Sequence, residues 1–269
     1  MSVAILVVMP LLLIQNTQPQ VPISTPDEIA QDFAQVPCTN KERLSGAKSL
    51  FEKMQAPSWL ISVAKLNGVE NLVVRQPGSS DEIIVMGAHY DFAERGCGAV
   101  DNWSGVVTLA HLYRTLRTLK TQKTVFFVAF GKEEKGLIGS KAMVQAIPKD
   151  QISTYCAMIN IDSFGLAAPV ALEGMSSKPL IELAQAASNE MHIPFAKVRI
   201  KGADSDSTSF LRRNVPAVTL SGLSADWESI LHTPFDQANK VNPNSVYAGY
   251  RLALTMWTHL DQADCRAFH

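Results

Sequence analysis

Four short apolar runs of this chain each lead into polar side chains that can ligate a metal or move a proton. Residues 83–86 run into Gly87-Ala88-His89-Tyr90-Asp91, residues 125–130 into Gly131-Lys132-Glu133-Glu134, and residues 157–161 into Asp162. A fourth run, 215–220, leads through a loop to His232. Each of these side chains has an ordinary reading when taken alone. A Glu-Glu pair is usually solvated, and a single histidine is more often a hydrogen-bonded residue than a ligand. Gathered at one sheet edge, they become a nitrogen and oxygen donor set that suits zinc, with carboxylates enough to offset a pair of divalent ions. No Gly-x-Ser-x-Gly turn occurs, which counts against a serine hydrolase.

Such a gathering depends on the elements in between. From residue 82 onward the apolar runs alternate with amphipathic stretches at 106–119, 137–147, 179–192 and 243–260. That alternation predicts βαβ units, and so an α/β fold of three layers, αβα, around a mixed, mostly parallel central sheet. In open sheets of this kind the site forms beyond the carboxyl ends of the strands. Ahead of them, Thr39 reads as the N-cap of a cover helix over 41–54, with Leu44, Ala47, Phe51 and Met54 on one side. Runs at 59–65 and 71–75 flank Asn67-Gly68, a hairpin signal. In the stretch 106–119, Leu109, Leu112, Tyr113, Leu116 and Leu119 recur at helical spacing and mark a scaffold helix. His111 falls between those positions and reads as a surface residue, as do His192 and His259, while His269 is a chain end expected to be disordered.

With 269 residues, 46% of them hydrophobic and 18% charged, the chain can bury one sizeable core. Its 24 basic and 25 acidic side chains are spread without a basic stripe or acidic tail, so neither nucleic acid nor an anionic membrane surface is an expected partner. The first 26 residues carry no charge, and 3–14 is an apolar run broken only by Pro10. Such a run falls short of the roughly 20 residues that a bilayer span needs. It fits the apolar core of a secretory signal, although no Lys or Arg precedes it and no Ala-x-Ala follows; a strand or helix packed on the domain is the alternative. Residues 15–26 read as a linker. The expected organisation is therefore a signal or hydrophobic segment plus linker over 1–25 and a single catalytic domain over 26–269, in a secreted, periplasmic or cell-envelope protein. Cys38, Cys97, Cys156 and Cys265 allow two disulfides in three connectivities, or buried free thiols, and form no CxxC pair that would suit a cysteine zinc site.

Five blocks carry a resemblance to a known family. They are Gly87 to Asp91, then Gly98-Ala99-Val100-Asp101-Asn102-Trp103-Ser104-Gly105, then Phe130-Gly131-Lys132-Glu133-Glu134-Lys135-Gly136-Leu137-Ile138-Gly139-Ser140, then Asn160-Ile161-Asp162, and His232-Thr233-Pro234-Phe235-Asp236. Over roughly 58–260 the chain resembles the co-catalytic di-zinc aminopeptidases, metallopeptidase family twenty-eight, which also holds glutaminyl cyclases and inactive receptor ectodomains. The resemblance implies a zinc-exopeptidase-like fold of the phosphorylase/hydrolase type, two Zn2+ ions and peptide substrates with a free N-terminus. It implies that Asp101 bridges the ions, with Glu134 and His232 completing one site and His89 and Asp162 the other. Glu133 would be the general base toward the attacking water, and Asp91 would brace His89. It further implies a cis bond at Asp101-Asn102.

Some positions stay open or depart from the family pattern. Asp236 either braces His232 or caps its loop, and Cys97 either sits near the ions or packs in a disulfide. Leu231 stands where relatives often have a tyrosine, which leaves the oxyanion helper unassigned; Tyr90 is a poor substitute. Ser205-Asp206-Ser207 replaces a Ser-Asp-His loop, and Asp206 either lines the pocket or N-caps a helix. A cyclase would bind one zinc in an acidic-aromatic pocket, whereas the block from Glu133 to Ser140 favours a peptidase. A non-catalytic ectodomain would lack ligands that are all present here. Leu223, Trp227 and Ile230 in the later loops favour apolar first residues.

Overall fold

Which way each side chain points along the strands decides how this sheet is covered. The computed structural model describes residues 21–269. In β3 (Ile83–His89), β4 (Thr124–Phe130) and β5 (Tyr155–Ile161), alternate residues go to opposite faces. Ile84, Met86 and Ala88, Val125, Phe127 and Ala129, and Ala157, Ile159 and Ile161 join one core. Val85, Val128, Phe130 and Met158 join a second core on the other side. Strands with no polar face must be covered twice, and burying such side chains contributes about 1.5–3 kcal/mol each.

The first face is covered by α1 (Pro26–Asp32), α2 (Asn40–Lys53), α3 (Ser104–Leu116), α5 (Lys178–Glu190) and α7 (Pro243–Gln262), which supply Ile29, Phe51, Leu109, Leu180 and Leu252 to that core. The second is covered by α4 (Ile138–Ala146) and α6 (Asp206–Leu211), through Val144 and Phe210. The eight strands run in the order β1-β2-β4-β3-β5-β8-β6-β7, where β1 is Ile61–Leu66, β2 Val69–Gln76, β6 Val170–Leu172, β7 Ala196–Val198 and β8 Ala217–Ser221. The central strands β4, β3, β5 and β8 are parallel, β2 adds antiparallel on one side, and β6 adds antiparallel to β8 on the other. The fold class expected from the alternation is the one observed. The hairpin is closed by Asn67 and Gly68, both left-handed at φ 48° and 77°, as a tight two-residue turn requires.

Two expectations fail for one reason. α3 is packed on every side, by the sheet, α1, α2 and α7, so its only residue not buried is Arg114. His111 is therefore a core residue, 1% exposed, with Nδ1 at 2.8 Å from Ser24 Oγ and Nε2 at 3.0 Å from Asp32 Oδ2. Its partners come from a segment read as linker and from a helix, α1, that apolar periodicity did not reveal. Thr25 opens that helix with a reciprocal capping box to Glu28, and Ser24 is buried. The chain end is also tied down, since His269 Nε2 lies 3.2 Å from the Tyr155 carbonyl oxygen. His192 and His259 are exposed as expected, the latter beside Glu190. The cysteines pair as Cys38–Cys97 and Cys156–Cys265. The apolar run at 3–14 lies outside the described residues; among those described, no helix is long and apolar enough to cross a membrane.

Candidate metal centre

The carboxyl ends of three adjacent strands deliver the polar groups to one place. His89 is the last residue of β3, Glu133 and Glu134 follow β4, and Asp162 follows β5. Asp101 arrives from the turn that opens α3, and His232 from the loop after β8. His89 Nε2 lies 3.2 Å from Asp101 Oδ1 and 3.4 Å from Asp162 Oδ1. His232 Nε2 lies 3.0 Å from Asp101 Oδ2 and 3.2 Å from Glu134 Oε2. The two oxygens of one carboxylate, Asp101, thus face two different histidines, and each histidine has a further carboxylate of its own. Donor atoms of His89, Asp101 and Glu134 all lie within 4.8 Å of one another, as do those of His89, Glu133 and Asp162.

Hydrogen bonds around the cluster fix these directions. His89 Nδ1 donates to the Asp91 main-chain oxygen at 3.0 Å, which leaves Nε2 free to face the carboxylates. The expected brace therefore comes from the backbone of Asp91, whose carboxylate stands 3.9 Å away. That carboxylate instead accepts the amides of Glu133 and Glu134, at 3.0 and 3.3 Å, and so sets the turn that carries both. Asp236 does not brace His232. Its Oδ1 accepts the Val100 amide at 2.7 Å and its Oδ2 the Asp101 amide at 3.1 Å. The Asp101-Asn102 bond is cis. Asn102 Nδ2 donates to the Ile161 carbonyl at 2.8 Å, and its Oδ1 accepts from Gly105 and Ser163. Gly105 is required there, since a Cβ would stand 2.5 Å from Asn102 Oδ1 and 2.7 Å from Ile161 O. Asp162 is held by the Ser205 hydroxyl at 2.6 Å.

So many acids together cannot all be ionised without cations. Burial, then Asp206, Asp162 and Asp101, push the Glu133 carboxyl well up, with His89 opposing. Burial also raises Glu134, and the pairing with Asp101 and Glu134 raises His232. Asp206 is neither pocket wall nor N-cap: it is the first residue of α6, wholly buried, with no partner at normal hydrogen-bond geometry among the described residues, and burial pushes it up to about 7 while the nearby Ser140 hydroxyl opposes. Sequence reasoning passed over its closeness to Glu133, because the signal at 205–207 was equally that of a helix start. Glu134 Oε1 is likewise buried without a partner among the described residues. A divalent cation answers both facts, since it would give that oxygen a partner and restore the carboxylates to their charged form.

The cluster forms the floor of a cleft of about 410 Å³ whose walls include Leu172, Met175, Ile200, Leu223, Trp227 and Leu231. Ile230, expected in the wall, does not line the cleft, whereas its neighbour Leu231 does. Tyr90 points away, its hydroxyl donating to the Glu70 carbonyl at 2.8 Å. Cys97 lies in a disulfide and is no ligand.

Residues 71–256 match the model of Peptidase family M28. Leucine aminopeptidase 2 of Trichophyton rubrum is 27% identical over 152 residues, which are 52% of this chain and 30% of the relative. The chain spans less than a third of the length of the curated relatives it matches. Among solved structures, the LapA aminopeptidase of Legionella pneumophila superposes with a TM-score of 0.78 at 22% identity, over 89% of this chain and 72% of its own. A glutaminyl cyclase from an Acidobacteriales bacterium superposes with a TM-score of 0.73 at 18% identity, over 88% and 93%. At such identities these two likenesses are to the fold.

Proposed function

We propose that this chain, which belongs to peptidase family M28, is a zinc-dependent exopeptidase that removes the N-terminal residue from peptides. The observation that carries the reading is the division of Asp101, one oxygen toward His89 and the other toward His232. That arrangement supports a centre in which His89 and Asp162 would hold one zinc ion and His232 and Glu134 a second, with Asp101 between the two sets. Zinc held there would supply Lewis acidity for the scissile carbonyl and an anchor for the free α-amine.

The chain's own residues account for the rest. Glu133 stands beside the cluster with its backbone fixed through Asp91, and takes a proton from the attacking water on a carboxylate oxygen. It then hands that proton to the departing amine. Its half-buried setting favours this shuttle, because burial and the neighbouring acids raise its proton affinity while cations opposite lower it. Leu172, Met175, Leu223 and Trp227 exclude water from one side of the cleft and favour an apolar first side chain. Two disulfides support an oxidising location, outside the cytoplasm.

Glu133→Gln should retain the metal and lose turnover by about 10²–10⁴-fold, the range for general base catalysis. The assay is release of the first residue from a peptide with a free N-terminus, beside its acetylated form and an N-terminal glutaminyl peptide. Full activity of Glu133→Gln would remove Glu133 as base. Release of ammonia from the glutaminyl peptide without cleavage would instead assign a glutaminyl cyclase.

A further inference from the structure

Buried near the cluster, and not among the residues lining the cleft, lies a cation that none of the roles above uses. Arg43 of α2 is 0% exposed. Its Nη2 donates to the Cys97 and Gly98 carbonyl oxygens, the latter at 3.0 Å. Its guanidinium lies 4.6 Å from the Phe92 ring centroid and 5.0 Å from that of Trp103. Phe92 follows Asp91, Gly98 begins the turn that carries Asp101, and Trp103 follows Asn102. Three parts of the metal loop therefore meet on one planar group. The seat is shaped for it: at Gly98, φ +51°, a Cβ would stand 2.9 Å from Arg43 Nη2 and 2.4 Å from Phe92 Cβ.

Among the described residues, no carboxylate pairs with Arg43, and its Nε and Nη1 have no hydrogen-bond partner. A buried cation without a paired anion opposes folding. Burial lowers its proton affinity to about 10, while Asp236, Asp101 and Asp91 act from a distance to hold the charge. Two of those three acids, Asp236 and Asp91, are not ligands; their carboxylates accept backbone amides of the ligand-bearing turns. Cost without local pairing is what a group selected for its effect on a neighbouring site displays.

We propose that Arg43 is a positioning residue for the metal centre, gripping the carbonyls of the loop that presents Asp101 while offsetting the acids behind it that do not ligate. The loop is held from two sides. Asp236 takes the amides of Val100 and Asp101, and Arg43 takes the carbonyls just upstream. Its neighbours on the N-terminal segment grip the same stretch: Asn40 exchanges two hydrogen bonds of 3.0 Å with the Phe92 backbone, and Cys38 is bonded to Cys97. Lysine is a poor substitute, since an ammonium has no planar face to lie against the Phe92 and Trp103 rings.

The test rests on the metal-centre reading and separates its failure from that of the proposal. Zinc affinity is measured by competition with a chromophoric chelator for the parent chain, Arg43→Met and Arg43→Lys, beside the melting temperature of each metal-free protein and its kcat and KM. A parent that binds no zinc fails the metal-centre reading itself. With a zinc-binding parent, metal-free Arg43→Met should stay folded, because the two carbonyl bonds it loses are offset by removal of a buried charge that has no carboxylate partner. Its zinc affinity should fall about 10–100-fold, the usual effect of losing support around a metal site. Arg43→Lys should fall similarly, with kcat lowered more than KM is raised. A folded variant binding zinc within twofold of the parent would overturn the proposal. So would unfolding of both metal-free variants, which would assign Arg43 to the fold and not to the centre.

Discussion

Replacing His111 with alanine removes the imidazole that ties α1 to α3. His111 is 1% exposed, and the Asp32 side chain it faces is 3% exposed. Removing one partner of such a buried pair costs about 3–5 kcal/mol when the other is left uncompensated. Lys53, whose side chain is 56% exposed, still reaches the second oxygen of Asp32, so the low end applies, about 3 kcal/mol. Urea unfolding of His111→Ala, Asp32→Asn and the double variant reads the total and the coupling, which should be about 1–3 kcal/mol. The pH dependence has a definite sign. Burial pushes the Asp32 carboxyl up, yet His111 and Lys53 prevail and hold it below its ordinary value. A carboxylate depressed on folding stabilises fully above its unfolded value, about 3.9, and that stability is lost as pH falls through the folded value. The parent should therefore lose stability on acidification below about pH 4, and His111→Ala less steeply. A cost under about 1 kcal/mol with no coupling would refute the reasoning, because a buried pair that can be broken so cheaply is not a pair in the folded chain.

Two further substitutions probe packing and the covalent frame. Gly249→Ala places a Cβ 2.3 Å from Phe164 Cε2, which must shift, and should cost about 1–3 kcal/mol in urea; a neutral result would mean the ring moves freely. Changing Cys156 and Cys265 together to serine opens a link across 109 residues and should cost about 2–4 kcal/mol, read as a lower melting temperature under non-reducing conditions; an unchanged melting temperature would contradict it.

The strand ends that carry the candidate centre were legible because one rule links them: a two-sided parallel strand is apolar until its carboxyl end, so the first acid or histidine afterwards marks the site edge. His89, Glu133, Glu134 and Asp162 follow that rule, and the central sheet with them. His232 follows it only loosely, since it lies in a loop beyond β8 at left-handed φ 57°, and its reading leaned more on the resemblance. His111 was misread because helical periodicity finds a buried stripe, and α3 is buried around its whole circumference. Asp236 and Arg43 act across 135 and 54 or more positions of sequence, on backbone groups that any residue could supply. No local signal encodes such partners. The short strands β6 and β7 and the seven-residue α1 owe their existence to neighbours and give too few residues for a period to emerge.

The sharing of Asp101 between two histidines also has a consequence in time. One half of the centre unites residues 89, 101 and 162, and the other unites 101, 134 and 232. Closing loops of that length costs entropy that only strand pairing and core formation repay. During synthesis from the N-terminus, the first half is complete in sequence some 70 residues before the second, with β8 still to be added to the sheet. By then four of the five grouped side chains, at 89, 101, 134 and 162, are in the chain, and the group closes only when the loop after β8 brings His232 to the second oxygen of Asp101.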